Sequence, residues 1–194
     1  TSFAANLKFT SIEQYLDAIA RVYRSNPPIK LSSPIVCGEY IVLNLKVPAR
    51  VDHELSIQIA KKVLAWSLDL GSSTSSKVLI SPHKIFSSGD LALFANHIGI
   101  DDRCQVVSEP ISALLRSEKC LALVSPPSGA VVDAIVLNDL LNVYLLDFSP
   151  FLVPSKYAHV RERLGFYMNI LSSCGAGRIT TVASLEVSSR QANR

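Results

Sequence analysis

At 194 residues, 48% hydrophobic and 18% charged, the chain is long enough for one domain with a substantial core. Its 19 Lys and Arg against 16 Asp and Glu leave a formal charge of +3, too mild for the footprint of a protein that lives on nucleic acid. The longest apolar stretch, Ala130 to Phe148, carries Asp133, Asp139 and Asp147, each costing about 2.5–3.5 kcal/mol near a bilayer centre, so no membrane span is expected there.

Ser11, with Gln14 three residues on, is a capping-box signature for a helix over Ser11–Ser25. Ile12, Leu16, Ile19 and Tyr23 form its apolar stripe, and Asn26-Pro27-Pro28 stops it. The stretch Pro34–Pro48 alternates, with Ile41, Leu43, Leu45 and Val47 on one face, and predicts a half-buried strand with a bend at Gly38. From Asp52, a plain N-cap type, the period becomes helical: Leu55, Ile59, Val63 and Trp66 make one row, with Ile57, Ala60, Leu64 and Leu68 beside it. That helix is expected to end near Asp69–Leu70. Short elements follow: a strand at Lys77–Ser81, a helix at Ser88–Gly99, a strand at Arg103–Ser108, a helix at Glu109–Glu118 with Pro110 in its first turn, and a strand at Lys119–Val124.

The run Ala130–Phe148 reads as two strands about an Asn138-Asp139 turn, with one long helix as the alternative. Tyr157, Val160, Leu164, Tyr167 and Leu171 share a face of a helix over Ser155–Ser173, and Arg178–Arg194 supplies a last strand, a flexible tail, or both. The expectation is a single globular domain over 1–174, of α/β or α+β class, with one mixed or antiparallel sheet and about five helices.

Asp69-Leu70-Gly71, followed by five hydroxyl residues and Lys77, resembles the first phosphate loop of the sugar-kinase, actin and heat-shock-chaperone ATPase group. That loop joins two strands, whereas the residues before Asp69 keep a helical period. The reading of this stretch is therefore a helix C-terminus, with Gly71 in the left-handed conformation and an exposed serine loop after it. No GxxxxGK[ST], no GxGxxG after a strand and no GxSxG is present, so no cofactor is implied.

Cys37, Cys104, Cys120 and Cys174, with no CxxC, read as reduced and mostly buried thiols of an intracellular protein. They and the dispersed His53, His83, His97 and His159 suggest no metal site. Cys174 ends a helix, where the dipole disfavours a thiolate, and His159 is about 22 Å away along the same helix. Asp133 stands in an apolar run, so it either faces solvent or is buried with a partner, and burial would hint at function.

Arg21, Arg24, Lys61, Lys62, Arg161 and Arg163 are the basic residues from which a weak nucleic-acid surface could be built, if the first and last helices pack side by side. With catalytic signatures lacking and apolar content high, the composition points first to a protein-binding or self-assembling module. That module would be a homo-oligomer of the kind found among viral structural or accessory proteins. Electrostatic nucleic-acid binding is the second reading, and an enzyme of unfamiliar type the third.

Overall fold

The structure is a computed structural model, and it describes residues 11–25, 38–46, 53–82, 102–138, 141–148, 158–174 and 178–181. The elements are α1 (Ile12–Ser25), β1 (Tyr40–Leu45), α2 (His53–Ser73), β2 (Lys77–Pro82), β3 (Cys104–Val106) and α3 (Ile111–Leu115). They continue with β4 (Cys120–Ser125), α4 (Gly129–Leu137), β5 (Asn142–Asp147), α5 (Ala158–Ser173) and β6 (Arg178–Thr181). The six strands stand in the order β3-β2-β1-β4-β5-β6, and all five neighbouring pairs are parallel. The domain is thus α/β, and the expected mixed or antiparallel pairing is corrected. The helix expected at Ser88–Gly99, the cap at Asp52 and the residues after Thr181 lie outside the described residues.

Two apolar cores flank the sheet. Val42, Leu79, Leu123, Val143 and Leu145 face one way, against α3, α4, α5 and the stripe Ile12, Tyr15, Leu16 and Ile19 of α1. Ile41, Leu43, Val78, Ile80, Val124 and Leu146 face the other way, against Ile59, Ala60, Val63 and Leu64 of α2. Right-handed crossovers explain the division. The chain steps one way from β1 to β2 and the opposite way from β4 to β5, so α2 and α4 fall on opposite faces. Covered on both faces, β1 is buried at all six positions and is not the half-buried strand its alternation suggested. Much of the chain's apolar content is needed for this double burial.

The Ala130–Phe148 run is neither a hairpin nor one helix, but α4 followed by β5. Val131, Val132, Ile135 and Val136 favour strands by propensity, yet α4 packs between the sheet and α1, and burial outweighs that preference. Asn138 ends the helix in an extended conformation, its N–H donating to the Ala134 carbonyl. Ser11 caps α1 as expected, its Oγ accepting from the Gln14 N–H at 3.3 Å.

The end of α2 also differs from expectation. The helix runs through Gly71 to Ser73, and the left-handed residue is Ser75, at φ 55°. The Ser76 N–H donates to the Gly71 carbonyl (2.8 Å) and the Ser75 N–H to the Ser72 carbonyl (3.3 Å), the paired bonds of a Schellman cap. Ser72, Ser73 and Thr74 turn their hydroxyls back onto the carbonyls of Leu68 and Leu70, so these groups cap a helix and do not cradle a phosphate.

Gly71 is required for space: a Cβ there would stand 2.8 Å from the Ser76 carbonyl oxygen, a backbone atom that cannot rotate away. Gly71→Ala is therefore expected to destabilise by about 1–2 kcal/mol, since overpacking exceeds the gain in helix propensity. Ser75→Gly, by relieving the left-handed serine, should stabilise by about 0.5–1 kcal/mol. Urea unfolding of both variants checks the pair. Had Gly71 been the left-handed cap, the alanine substitution would still cost stability, but Ser75→Gly would give no gain.

Candidate functional site

The three central strands each end an apolar run on a small polar residue: Asn44 in β1, Ser81 in β2 and Ser125 in β4. Register brings them together. Asn44 pairs with Ser81, and Leu43 pairs with Val124, which sets Ser125 beside Asn44. They form a polar row on the α3–α4 side, one layer beyond the wholly buried row Leu79, Val42 and Leu123. Their exposures, 8%, 6% and 0% for Ser81, Asn44 and Ser125, make them part of the interior.

Buried polar groups must be bonded, and most of these are. Asn44 Nδ2 donates to Ser125 Oγ at 2.8 Å and to Ser128 Oγ at 3.0 Å. Ser125 Oγ gives its proton to the Pro126 carbonyl (2.8 Å), so Ser128 is the donor in the 3.0 Å contact between the two hydroxyls. With both N–H groups of Asn44 engaged, its carboxamide oxygen is the group left for the adjoining cleft, which Asn44 lines.

The cleft has a volume of about 540 Å³ and opens over the carboxyl ends of β1 and β2. Asn44 and Ser81 are its floor, Ser128, Ala130 and Asp133 of the α4 segment form one wall, the chain from Val107 to Ser112 forms the other, and Lys46 stands at the rim. Ser128 occupies the N-cap position of α4 in an extended conformation, but its hydroxyl makes no capping bond, being held by the polar row instead. Ser128 thus leaves the first amides of α4 without its side-chain cap.

Charge divides the cleft. Lys46 is partly buried, and burial, with the positive charge of Arg163 as the second cause, holds its ammonium below the ordinary value. Asp133 is the opposite pole. Burial raises its carboxyl above the usual range, only partly offset by a hydrogen bond from Tyr23. Tyr23 is pushed well up by burial and by that same bond, while Ser112 donates to its phenol oxygen and Arg116 lies over its ring at 5.3 Å. Asp133 is therefore a partly buried acid with a partner, between the solvent-facing and fully buried alternatives that its sequence context left open.

The strand order is that of the doubly wound nucleotide-binding folds, in which ligands sit outside the carboxyl ends of the strands where the order reverses. Here that point lies between β1 and β4, where Asn44 and Ser125 meet. No protein-family model matches the sequence, and no curated protein does. The sequence that follows β1, from Lys46 to Asp52, carries no glycine, so it lacks the fingerprint through which those folds approach a dinucleotide.

The six basic residues singled out from sequence divide between the two faces. Arg21 and Arg24 on α1 share a sheet face with Arg161 and Arg163 on α5, and Tyr15 touches Phe166 where these helices meet (ring centroids 6.0 Å). Lys61 and Lys62 ride on α2 across the sheet. Of the six, Arg163 comes within electrostatic reach of the cleft, through Lys46. Cys104 and Cys120 are free and buried, with Cys120 pushed up to about 12 by burial. Cys174 is free and exposed, and its thiol is raised, first by desolvation and then by Glu13. Among the described residues no His, Cys, Asp and Glu cluster is placed to hold a metal, and no helix is long and apolar enough to cross a membrane.

Proposed function

We propose that this domain binds a small polar ligand in the cleft where β1 and β4 diverge. The observation that carries the reading is the buried Ser81–Asn44–Ser125 row. Polar side chains at the end of three core strands cost stability unless they serve a purpose there, and two of them, Asn44 and Ser81, floor a cleft beside the point where doubly wound sheets bind ligands. The volume suits a metabolite-sized molecule.

The composition that pointed to a self-assembling module is met by burial on both sheet faces. The six basic residues favour a nucleic-acid surface less once Lys61 and Lys62 lie opposite the rest. A thermal-shift panel of sugar phosphates, mononucleotides, dinucleotides and amino acids tests the reading. A ligand at 100 times its Kd stabilises by about 2.7 kcal/mol, and the shift should vanish in Asn44→Leu. A panel without effect on the wild type, or a shift retained by Asn44→Leu, overturns it.

A further inference from the structure

We propose that the ligand of this cleft carries a phosphoryl group, seated where Lys46, Ser81 and the N-terminus of α4 converge. This rests on reading the cleft as a ligand site, and it names the chemistry at one end of it.

Three independent features supply donors there. Lys46 follows β1 directly and lines the cleft, and no described carboxylate lies within salt-bridge distance of its ammonium. The charge it does feel is a second cation, Arg163 on α5. A partly buried ammonium facing another positive charge is costly alone, and a bound dianion would relieve both. The α4 N-terminus adds unpaired amides and the positive end of a nine-residue helix, left open because Ser128 turns its hydroxyl to Asn44 and Ser125.

Ser81 is the observation that points directly to a ligand. It is more than nine-tenths buried, its hydroxyl has no hydrogen-bond partner among the described residues, and the side left open to it is the cleft beside Asn44. No buried side-chain oxygen among the described residues is left without a partner, so the Ser81 hydroxyl opens onto the cleft, where a ligand oxygen can take its hydrogen bond. Donors arriving from a strand end, a neighbouring strand and a helix suit a tetrahedral oxyanion better than a planar carboxylate. The acidic pole at Asp133 and Glu109 lies in the same cleft and suits hydroxyl groups on the rest of the ligand. The class is a phosphorylated, hydroxyl-bearing small molecule, with ribose 5-phosphate as the minimal probe.

The test is a titration at constant ionic strength, following the amide resonances of Gly129 and Ala130. The probes are inorganic phosphate, ribose 5-phosphate and acetate. Phosphate should shift both amides saturably, ribose 5-phosphate should do so at lower concentration, and acetate should not. Lys46→Met should weaken phosphate binding about tenfold, as for loss of a charge-assisted bond. Ser81→Ala, a change of one buried oxygen, should weaken it about threefold or more and serves if the Lys46 variant does not fold.

Equal response to acetate, or phosphate binding unchanged in either folded variant, overturns the proposal. Tighter ribose 5-phosphate binding assigns the site to a phosphorylated metabolite, and equal binding assigns it to the free ion. If an uncharged panel compound binds the wild type, is lost in Asn44→Leu and is kept in Lys46→Met, the cleft reading stands and the phosphoryl assignment falls.

Discussion

Asn44→Leu is expected to lower unfolding stability by about 2–3 kcal/mol and to abolish ligand binding in the cleft. Leucine is no smaller than asparagine, so the loss is not a cavity effect. It comes from the two N–H donors that hold Ser125 Oγ at 2.8 Å and Ser128 Oγ at 3.0 Å beneath the cleft. Some of the loss is offset, because Ser128 is freed to swing back and cap α4. A double-mutant cycle separates these terms. Pairing Asn44→Leu with Ser125→Ala replaces both partners by apolar groups, so the double variant should be more stable than the two single losses predict, by about 1–2 kcal/mol of coupling. Urea unfolding midpoints at unchanged slope measure all four proteins. Additive losses would mean that the row is not a tied network and that the floor of the cleft is not pre-formed.

The residues of the polar row are visible in the sequence as ends of strands, but their meeting is not. "IVLN", "VLIS" and "ALVS" each break an apolar run with a small polar residue, a pattern legible in the residues alone. What sequence does not carry is which strands are neighbours: Asn44 meets Ser125 across 81 residues of chain, through a pairing of β1 with β4. The helices α1, α2 and α5 are legible because each keeps one apolar stripe at helical spacing. The helix α4 is not, because sheet and α1 cover it on two sides and erase the polar face that gives a helix its period. The same double coverage makes the strands look like apolar surface in excess. At Gly71 the residue type draws notice for its conformational freedom, whereas the fold uses its lack of a side chain.

Lys46 and Asp133 share one cleft without being paired to each other. Lys46 faces Arg163, and Asp133 faces Tyr23, so each keeps a charge that a ligand could use. An arrangement of this kind trades stability for function, and the acid offers the sharper measurement of that trade.

Asp133→Asn is expected to stabilise the protein at neutral pH, to leave it no more stable than the wild type in acid, and to weaken binding of hydroxyl-bearing ligands about tenfold. Burial raises the folded-state carboxyl above its ordinary value of 3.8. Between the ordinary and the raised value, the native state therefore holds more protons than the unfolded state. Stability falls as pH climbs through that window and levels off above it. The carboxylate is destabilising at neutral pH and the protonated acid is not. Asparagine, which never ionises and can still accept from the Tyr23 hydroxyl, should follow the acid-side behaviour at every pH. The groups around it do not blur the window. Tyr23 and Tyr15 from α1 and Tyr167 from α5, the last pushed up to about 12, are all raised and stay protonated throughout. The difference in urea midpoint between variant and wild type, followed from below 3.8 to neutrality, should begin near zero and widen in favour of asparagine. A flat difference, or one favouring the wild type at neutral pH, would show that Asp133 is held by compensating contacts and is not kept as a strained acid for the cleft.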